Sequence, residues 1–320
     1  MRVSLGIDTS CYTTSAAFVD ESGKVVAASR ILLPVEIGQR GLRQSEAVFA
    51  HVRQIAQVVE ALQKQLVEPA EIVCVCASAY PRNKEDSYMP VFEVGLCHAQ
   101  VIASLLRVPL YRVSHQQGHI AAGWIGADSV PEHFVALHLS GGTTELLDCH
   151  GGQISQIGGS LDLHAGQLVD RTGVALGLKF PAGPALEKLA TAFTGQVEAL
   201  LPVSMEQNDL YCHMSGAETR VQQWIQTQAY APEKIAAEVF DFLSRTVSRM
   251  LMAGCKRANA QTTLVVGGVA SSERLRCEIH KRLSKQRNPV KVVYGRKEFS
   301  ADNAAGVASL GMQYWKKEQA

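Results

Sequence analysis

Two stretches of the chain share one alternation of apolar and polar positions, and each spells three consecutive strands. The first runs "VSLGID" (3–8), a hydroxyl-rich turn "TSCYTT", "SAAFVD" (15–20), a turn at "ESGK", and "VVAASRIL" (25–32). The second runs "FVALHLS" (134–140), "GGTT", "ELLDC" (145–149), "HGGQ" and "ISQIG" (154–158). Period-two alternation interrupted by Gly- and Ser-rich turns predicts a strand meander. Its recurrence as an internal repeat says more about the fold than either copy alone.

Between the copies the period changes. Residues 46–67 place Val48, Val52, Ile55, Val59 and Leu62 on one helical face. A buried strand "EIVCVCAS" (71–78), a helix over 93–106 and a strand "PLYRVS" (109–114) then lead into "HQQGHI". After the second copy the pattern predicts a helix over 160–178, a turn into a helix at "PAGPALEKLA" and a long helix over 236–258. A strand "TTLVVGG" follows, with a helix starting directly after its double glycine. A strand at 290–295, a loop "RKEFSADN" and a helix over 304–317 close the chain.

A βββ unit met twice, each time followed by helices and further strands, resembles the duplicated α/β fold of actin, sugar kinases and Hsp70 (the ASKHA class). That resemblance implies two lobes. The expected division is 1–111 for the first lobe, with the C-terminal helix 303–320 packing back on it. The second lobe is expected over 112–302, with a helical insertion at about 160–235.

Composition narrows the picture by exclusion. Hydrophobic residues make up 47% of the 320 and charged ones 19%, the balance of a compact folded protein. A net charge of +1 supplies no global basic field, so nucleic-acid binding must come from a local patch or a partner, and DNA is not an expected ligand. No apolar run reaches the roughly 18 residues of a membrane span, and the first residues read as strand rather than signal peptide. The eight cysteines include no CxxC pair. Reduced thiols in a cytoplasmic protein are the expectation, with those in apolar runs serving as small core residues.

His115 and His119 stand four apart, so on a helix both imidazoles share one face and can reach one ion. His138, between Leu137 and Leu139 of a strand, shares its face with Ser140; it reads either as a third ligand or as a histidine satisfied within the sheet. "SGG" (140–142) is a hairpin turn or an anion-binding loop. A zinc protease carries a Glu between its two helical histidines to activate water. Here Gln116 and Gln117 fill that interval, and neither can act as a base.

Six segments in order, "LGIDTSC", "HQQGHI", "LSGGTTEL", "LDLHAGQLVDRTGVALGLKFPAGPALEKLA", "GGVASSERLR" and "FSADNAAGVASLG", make the chain similar to the tRNA threonylcarbamoyladenosine transferases, once labelled O-sialoglycoprotein endopeptidases. The resemblance implies a divalent metal, Fe(II) or Zn(II), on His115, His119 and Asp302, with His138 where some members place a ligating tyrosine. It implies an ATP or adenylate site at Ser140, Gly141, Gly142, Gly166, Asp170, Gly183, Gly268 and Ser272, with tRNA as partner and a paralogous subunit as a second. Asp170 would meet the ribose, and Gly183 and Gly268 the rest of the nucleotide.

The departures from the family pattern matter equally. The first loop of the family continues ETSC with two acidic residues; here Asp8-Thr9-Ser10-Cys11 is followed by Tyr12 and Thr13. "SAYPRNKEDSYMP" replaces a glycine-proline-glycine stretch, Thr143 follows SGG, and Ser271 or Ser272 stands for an asparagine. No catalytic residue is assigned. Three functions stay open: threonylcarbamoyl transfer to N6 of an adenosine beside the tRNA anticodon; carbamoyl or acyl transfer to another acceptor; and a non-catalytic nucleotide-binding scaffold. Retention of the histidine pair weighs against the last.

Overall fold

The structure is a computed structural model that describes residues 1–10, 12–34, 42–83, 87–286, 289–300 and 304–320. The chain divides into unit 1, Met1–Val130 with Arg296–Ala320, and unit 2, Pro131–Gly295. These limits fall later than the expected 111/112 and earlier than 302/303. The physical reason is a helix, α3 (His115–Gly123), that packs on the C-terminal helix α9 (Ala305–Gln319) and so belongs to unit 1.

Unit 1 is built on a sheet of order β3-β2-β1-β4-β5. The meander β1 (Arg2–Ser10), β2 (Thr13–Asp20) and β3 (Val25–Leu32) is antiparallel, while β4 (Glu71–Tyr80) and β5 (Leu110–Ser114) add in parallel. Val3, Leu5 and Ile7 of central β1 enter a core with Ile55, Val58 and Leu62 of α1 (Gln44–Gln63) and with Ala99 and Ala103 of α2 (Val91–Leu106). A second core joins Ala17, Val19 and Cys74 to Ala304, Ala305, Ala308 and Met312 at α9. Small residues let that helix lie directly on the strands: a Cβ on Gly6 would come within 2.5 Å of the Ala308 nitrogen.

The buried stripe of α1 differs from the predicted one. It runs Ala47, His51, Ile55, Val58 and Leu62, whereas Val52 faces solvent. The face is rotated from the purely apolar one because it includes a fully buried histidine, His51. Thr14 explains that burial: its hydroxyl lies 2.8 Å from His51 Nδ1 and donates to Gln54 Oε1 at 2.8 Å. Burial pushes the His51 imidazole down to about 4, outweighing the opposing pull of the Asp8 carboxylate and the Ser10 backbone.

Unit 2 carries a seven-stranded sheet of order β12-β11-β6-β7-β8-β10-β9. Its meander is β6 (His133–Leu139), β7 (Thr144–His150) and β8 (Gln153–Ser160), with β11 (Thr262–Val266) and β12 (Lys291–Tyr294) added in parallel beyond β6. The expected helical insertion contains α4 (Ala165–Ala175), α5 (Gly183–Ala192) and α6 (Ser215–Gln226). It also holds two short strands, β9 (Ser204–Glu206) and β10 (Tyr211–His213), that extend the sheet past β8. Three-residue strands are too short to show a period. The long helix α7 (Pro232–Ala258) packs Phe240, Leu243, Val247 and Leu251 into the core with Val135, Leu137 and Leu146.

Two carboxylates pin the loops of unit 2. Glu238 of α7 is fully buried and accepts from the backbone N–H of Glu198 and of Leu200, each at 2.8 Å. Asp162 accepts from the N–H of Met214 at 2.8 Å and of Ser215 at 3.2 Å, fastening the start of α6 to the end of β8. Burial pushes the Asp162 carboxyl up. The Met214 N–H and the Ser215 hydroxyl outweigh it and hold the group down at about 2.

Candidate functional site

In unit 1 the chain leaves β5 at Ser114 and turns directly into α3. Ser114 Oγ accepts from the Gln117 N–H at 3.1 Å, and Gln117 Oε1 accepts from the Ser114 N–H at 2.8 Å. This reciprocal cap satisfies two of the helix's unpaired donors and fixes where its first turn begins. Gln117 therefore has a structural task in the interval where a protease would carry its base. The cap sets His115 as the first helical residue and His119 one turn later.

Their rings meet edge to face, with centroids 4.4 Å apart and the two Nε2 atoms 3.0 Å apart. The other nitrogen of His115, Nδ1, lies 3.0 Å from Asp8 Oδ2. Asp8 sits near the end of β1 and is 1% exposed. Packing holds α3 in this place: a Cβ on Gly306 of α9 would lie 1.9 Å from the Gly118 carbonyl oxygen, and one on Gly118 would lie 2.9 Å from Val307 Cγ2. Asp302, the expected third ligand, lies outside the described residues, as does Cys11. Among the described residues no group of three or more His, Cys, Asp or Glu could hold a metal ion. The structure thus brings together two of the expected ligands and adds a carboxylate behind them.

In unit 2, "SGG" forms a turn between β6 and β7, closed by the Ser140 N–H on the Thr143 carbonyl at 2.8 Å. The N-terminus of α4 lies against it. The Gly166 N–H donates to the Ser140 carbonyl at 3.1 Å and the Ala165 N–H to Thr144 Oγ1 at 2.9 Å. A Cβ on Gly166 would come within 2.6 Å of the Gly141 nitrogen, so only glycine permits this approach. Gly141, Gly142 and Gly268 differ: a Cβ on any of them would meet nothing within 4 Å, and one on Gly183 would meet only Val169, at 3.7 Å. Among the described residues, no neighbour requires glycine at these four positions.

The remaining expected residues divide. One Asp170 oxygen accepts from the Ala182 N–H at 2.8 Å, and burial pushes that carboxyl up against this bond. Ser272 is the N-cap of α8 (Glu273–Leu283), accepting from the Leu275 N–H at 3.1 Å and donating to Glu187 Oε1 at 2.9 Å. Its hydroxyl is engaged inside the protein. The helix predicted directly after Gly268 starts only there, after a 3-10 turn at Val269–Ser271. Likewise α4 starts at Ala165, because residues 161–164 form the loop anchored by Asp162. His138 is 6% exposed on β6, opposite Glu145 and beside Val266. Gly267, at φ +100°, lies close enough that a Cβ there would be 2.9 Å from His138 Cδ2.

Asp8 and Glu187 were not among the residues expected from sequence. A single carboxylate in "GIDTS" carries no spacing signal, and its partner His115 is remote in the chain. Glu187 reads as one charge on an amphipathic helix until the Arg274 N–H and the Ser272 hydroxyl are seen on the same oxygen.

Known structures of the same architecture align along nearly all of the chain. The (R)-2-hydroxyglutaryl-CoA dehydratase component A of Acidaminococcus fermentans matches at a TM-score of 0.56 and 14% identity, covering 99% of this chain and 100% of its own. A ROK family glucokinase from Streptomyces griseus, solved with glucose and AMPPNP, gives 0.55 and 14%, covering 97% and 99%. HypF of T. kodakarensis gives 0.61 and 13% over 99% of this chain and 48% of its own. At these identities the likeness carries the fold alone, and that fold is of the ASKHA type. The family model described as TsaD, tRNA N6-adenosine threonylcarbamoyltransferase, matches residues 35–309. With most of its length matched, the chain belongs to the tRNA N6-adenosine threonylcarbamoyltransferase family.

Proposed function

We propose that this protein transfers a threonylcarbamoyl group from its adenylate to N6 of the adenosine beside a tRNA anticodon. The amine nitrogen attacks the carbonyl carbon, a C–N bond forms, the carbonyl–phosphate C–O bond breaks, AMP leaves and N6 gives up a proton. The single observation that carries the reading is the meeting of His115 and His119 at their Nε2 atoms, 3.0 Å apart, in a chain of this family.

The donor set fits a metal. Two imidazole nitrogens at this separation can share one ion whose bonds to each run about 2.0–2.1 Å. His115 and His119 would hold Fe(II) or Zn(II), with Asp302 as the further ligand that the family resemblance implies. The ion would supply Lewis acidity toward the substrate carbonyl or phosphate. Gly141, Gly142, Gly183 and Gly268, where an added Cβ would meet no described atom closer than 3.7 Å, would admit the phosphates and adenine. Asp170 would accept from the ribose hydroxyls with the oxygen that Ala182 does not occupy. The partners on this reading are tRNA and a paralogous subunit, in the cytoplasm; among the described residues no helix is long and apolar enough to cross a membrane.

Titration with ATP in a calorimeter tests the nucleotide half of this reading. Saturating ATP is expected to raise the melting temperature by mass action. Gly142→Val, placed where an added Cβ would meet nothing within 4 Å among the described residues, is expected to weaken binding at least about tenfold while the ligand-free melting temperature stays within about 1 °C. Absence of both heat and stabilisation in the unaltered protein would overturn nucleotide binding.

A further inference from the structure

We propose that Asp8 is a positioning residue that locks His115 into the tautomer with hydrogen on Nδ1, so that Nε2 presents a lone pair. A carboxylate oxygen without hydrogen can only accept, so the 3.0 Å contact between Asp8 Oδ2 and His115 Nδ1 would place the hydrogen on Nδ1. In the neutral imidazole, Nε2 is then the acceptor, and it is this atom that faces His119 Nε2 at 3.0 Å. This deepens the metal reading above and rests on it for its consequence. A histidine ligand whose remote nitrogen donates to a carboxylate is both oriented and made more basic.

The surroundings of Asp8 separate this role from simple structural anchoring. Glu238 and Asp162 each have both oxygens occupied, Glu238 accepting two backbone N–H bonds and Asp162 three, and these tie down loops. Asp8 is 1% exposed yet accepts no backbone N–H among the described residues, and its Oδ1 finds no hydrogen-bond partner there. A buried carboxylate so weakly satisfied is costly for a fold to keep. Its side chain is directed to one task, the His115 ring. The tilted Phe92 ring, with its centroid 5.9 Å away, provides a second wall for that imidazole.

The test uses the full chain, ¹⁵N-labelled and stripped of metal, at about pH 8, above the ordinary histidine pKa of about 6.5. Two-bond ¹H–¹⁵N spectra report each imidazole tautomer, with His115→Ala assigning the signal. His115 is expected in the Nδ1–H form in the unaltered protein, and in a mixture or the Nε2–H form in Asp8→Ala and in the near-isosteric Asp8→Asn. Zn(II) affinity, read by competition with a chromophoric chelator, is expected to fall about 10–100-fold in both variants. An Nε2–H signal for His115 in the unaltered protein overturns the proposal. So do variants that hold Zn(II) within twofold of it. If Asp8→Ala fails to fold, Asp8→Asn and the unaltered spectrum still decide. Should the unaltered protein show the Nδ1–H form yet take up no Zn(II), the positioning role stands and the metal reading falls.

Discussion

Replacing His115 and His119 together by alanine is expected to abolish stoichiometric uptake of Fe(II) or Zn(II) and to lower transfer at least about 10³-fold, the scale on which metal activation of an electrophile acts. Their Nε2 atoms are 3.0 Å apart, so the variant removes two donors from one point rather than two scattered side chains. His115 is the first residue of a helix capped through Ser114 and Gln117, and alanine there leaves the cap intact. The fold is therefore expected to survive, with an unchanged circular dichroism spectrum. Exposed His280→Ala, on α8, serves as the control and should bind metal normally. Metal content measured by atomic emission decides: undiminished metal in the double variant would end the idea. His138→Ala belongs in the same series, because unchanged affinity would return that residue to ordinary strand packing.

The second large effect lies in the scaffold. Gly306→Ala is expected to destabilise the protein by about 3 kcal/mol, at the upper end of the cost of overpacking. The added methyl would sit 1.9 Å from the Gly118 carbonyl oxygen and 2.6 Å from the Ala122 nitrogen, both backbone atoms of α3. Neither can swing aside as a side chain would, so α3 must shift on α9. Because α3 carries the histidine pair, metal affinity should fall with stability. Urea unfolding followed by fluorescence measures the first and chelator competition the second. A midpoint unchanged from that of the unaltered protein would show that the two helices are not packed as described.

The repeated meander was legible because six short strand-like runs are separated by turn residues. α1 was legible as a helix but not in its orientation, since His51 and Thr14 place a polar pair where the apolar count expects valine. β9 and β10 offered three residues each, and their pairing with β8 is a long-range fact. The histidine pair could be read from its spacing, whereas Asp8 is joined to it only by the fold. The glycines looked alike in sequence. Structure divides them into Gly166, Gly267 and Gly306, which backbone neighbours demand, and Gly141, Gly142 and Gly268, where an added Cβ would meet nothing within 4 Å among the described residues.

On the proposed transfer reading, the first loop would bear on catalysis. Tyr12 is 43% exposed, while Thr13 is buried at the start of β2. The two carboxylates of the family pattern are absent from both positions, and each general acid or base contribution is typically worth about 10²–10⁴-fold. Slow transfer is the expected consequence, together with an aromatic face suited to a planar acceptor.

The most direct measurement supplies the metal-loaded protein with threonylcarbamoyl adenylate, unmodified tRNA and its partner proteins, then digests the tRNA and weighs its nucleosides. Threonylcarbamoyladenosine formed in step with AMP release, at a rate below that of a family member with both acids and dependent on His115 and His119, is the expected result. AMP release without the modified nucleoside would contradict tRNA as the acceptor, and an adenylate left intact would contradict the transfer itself.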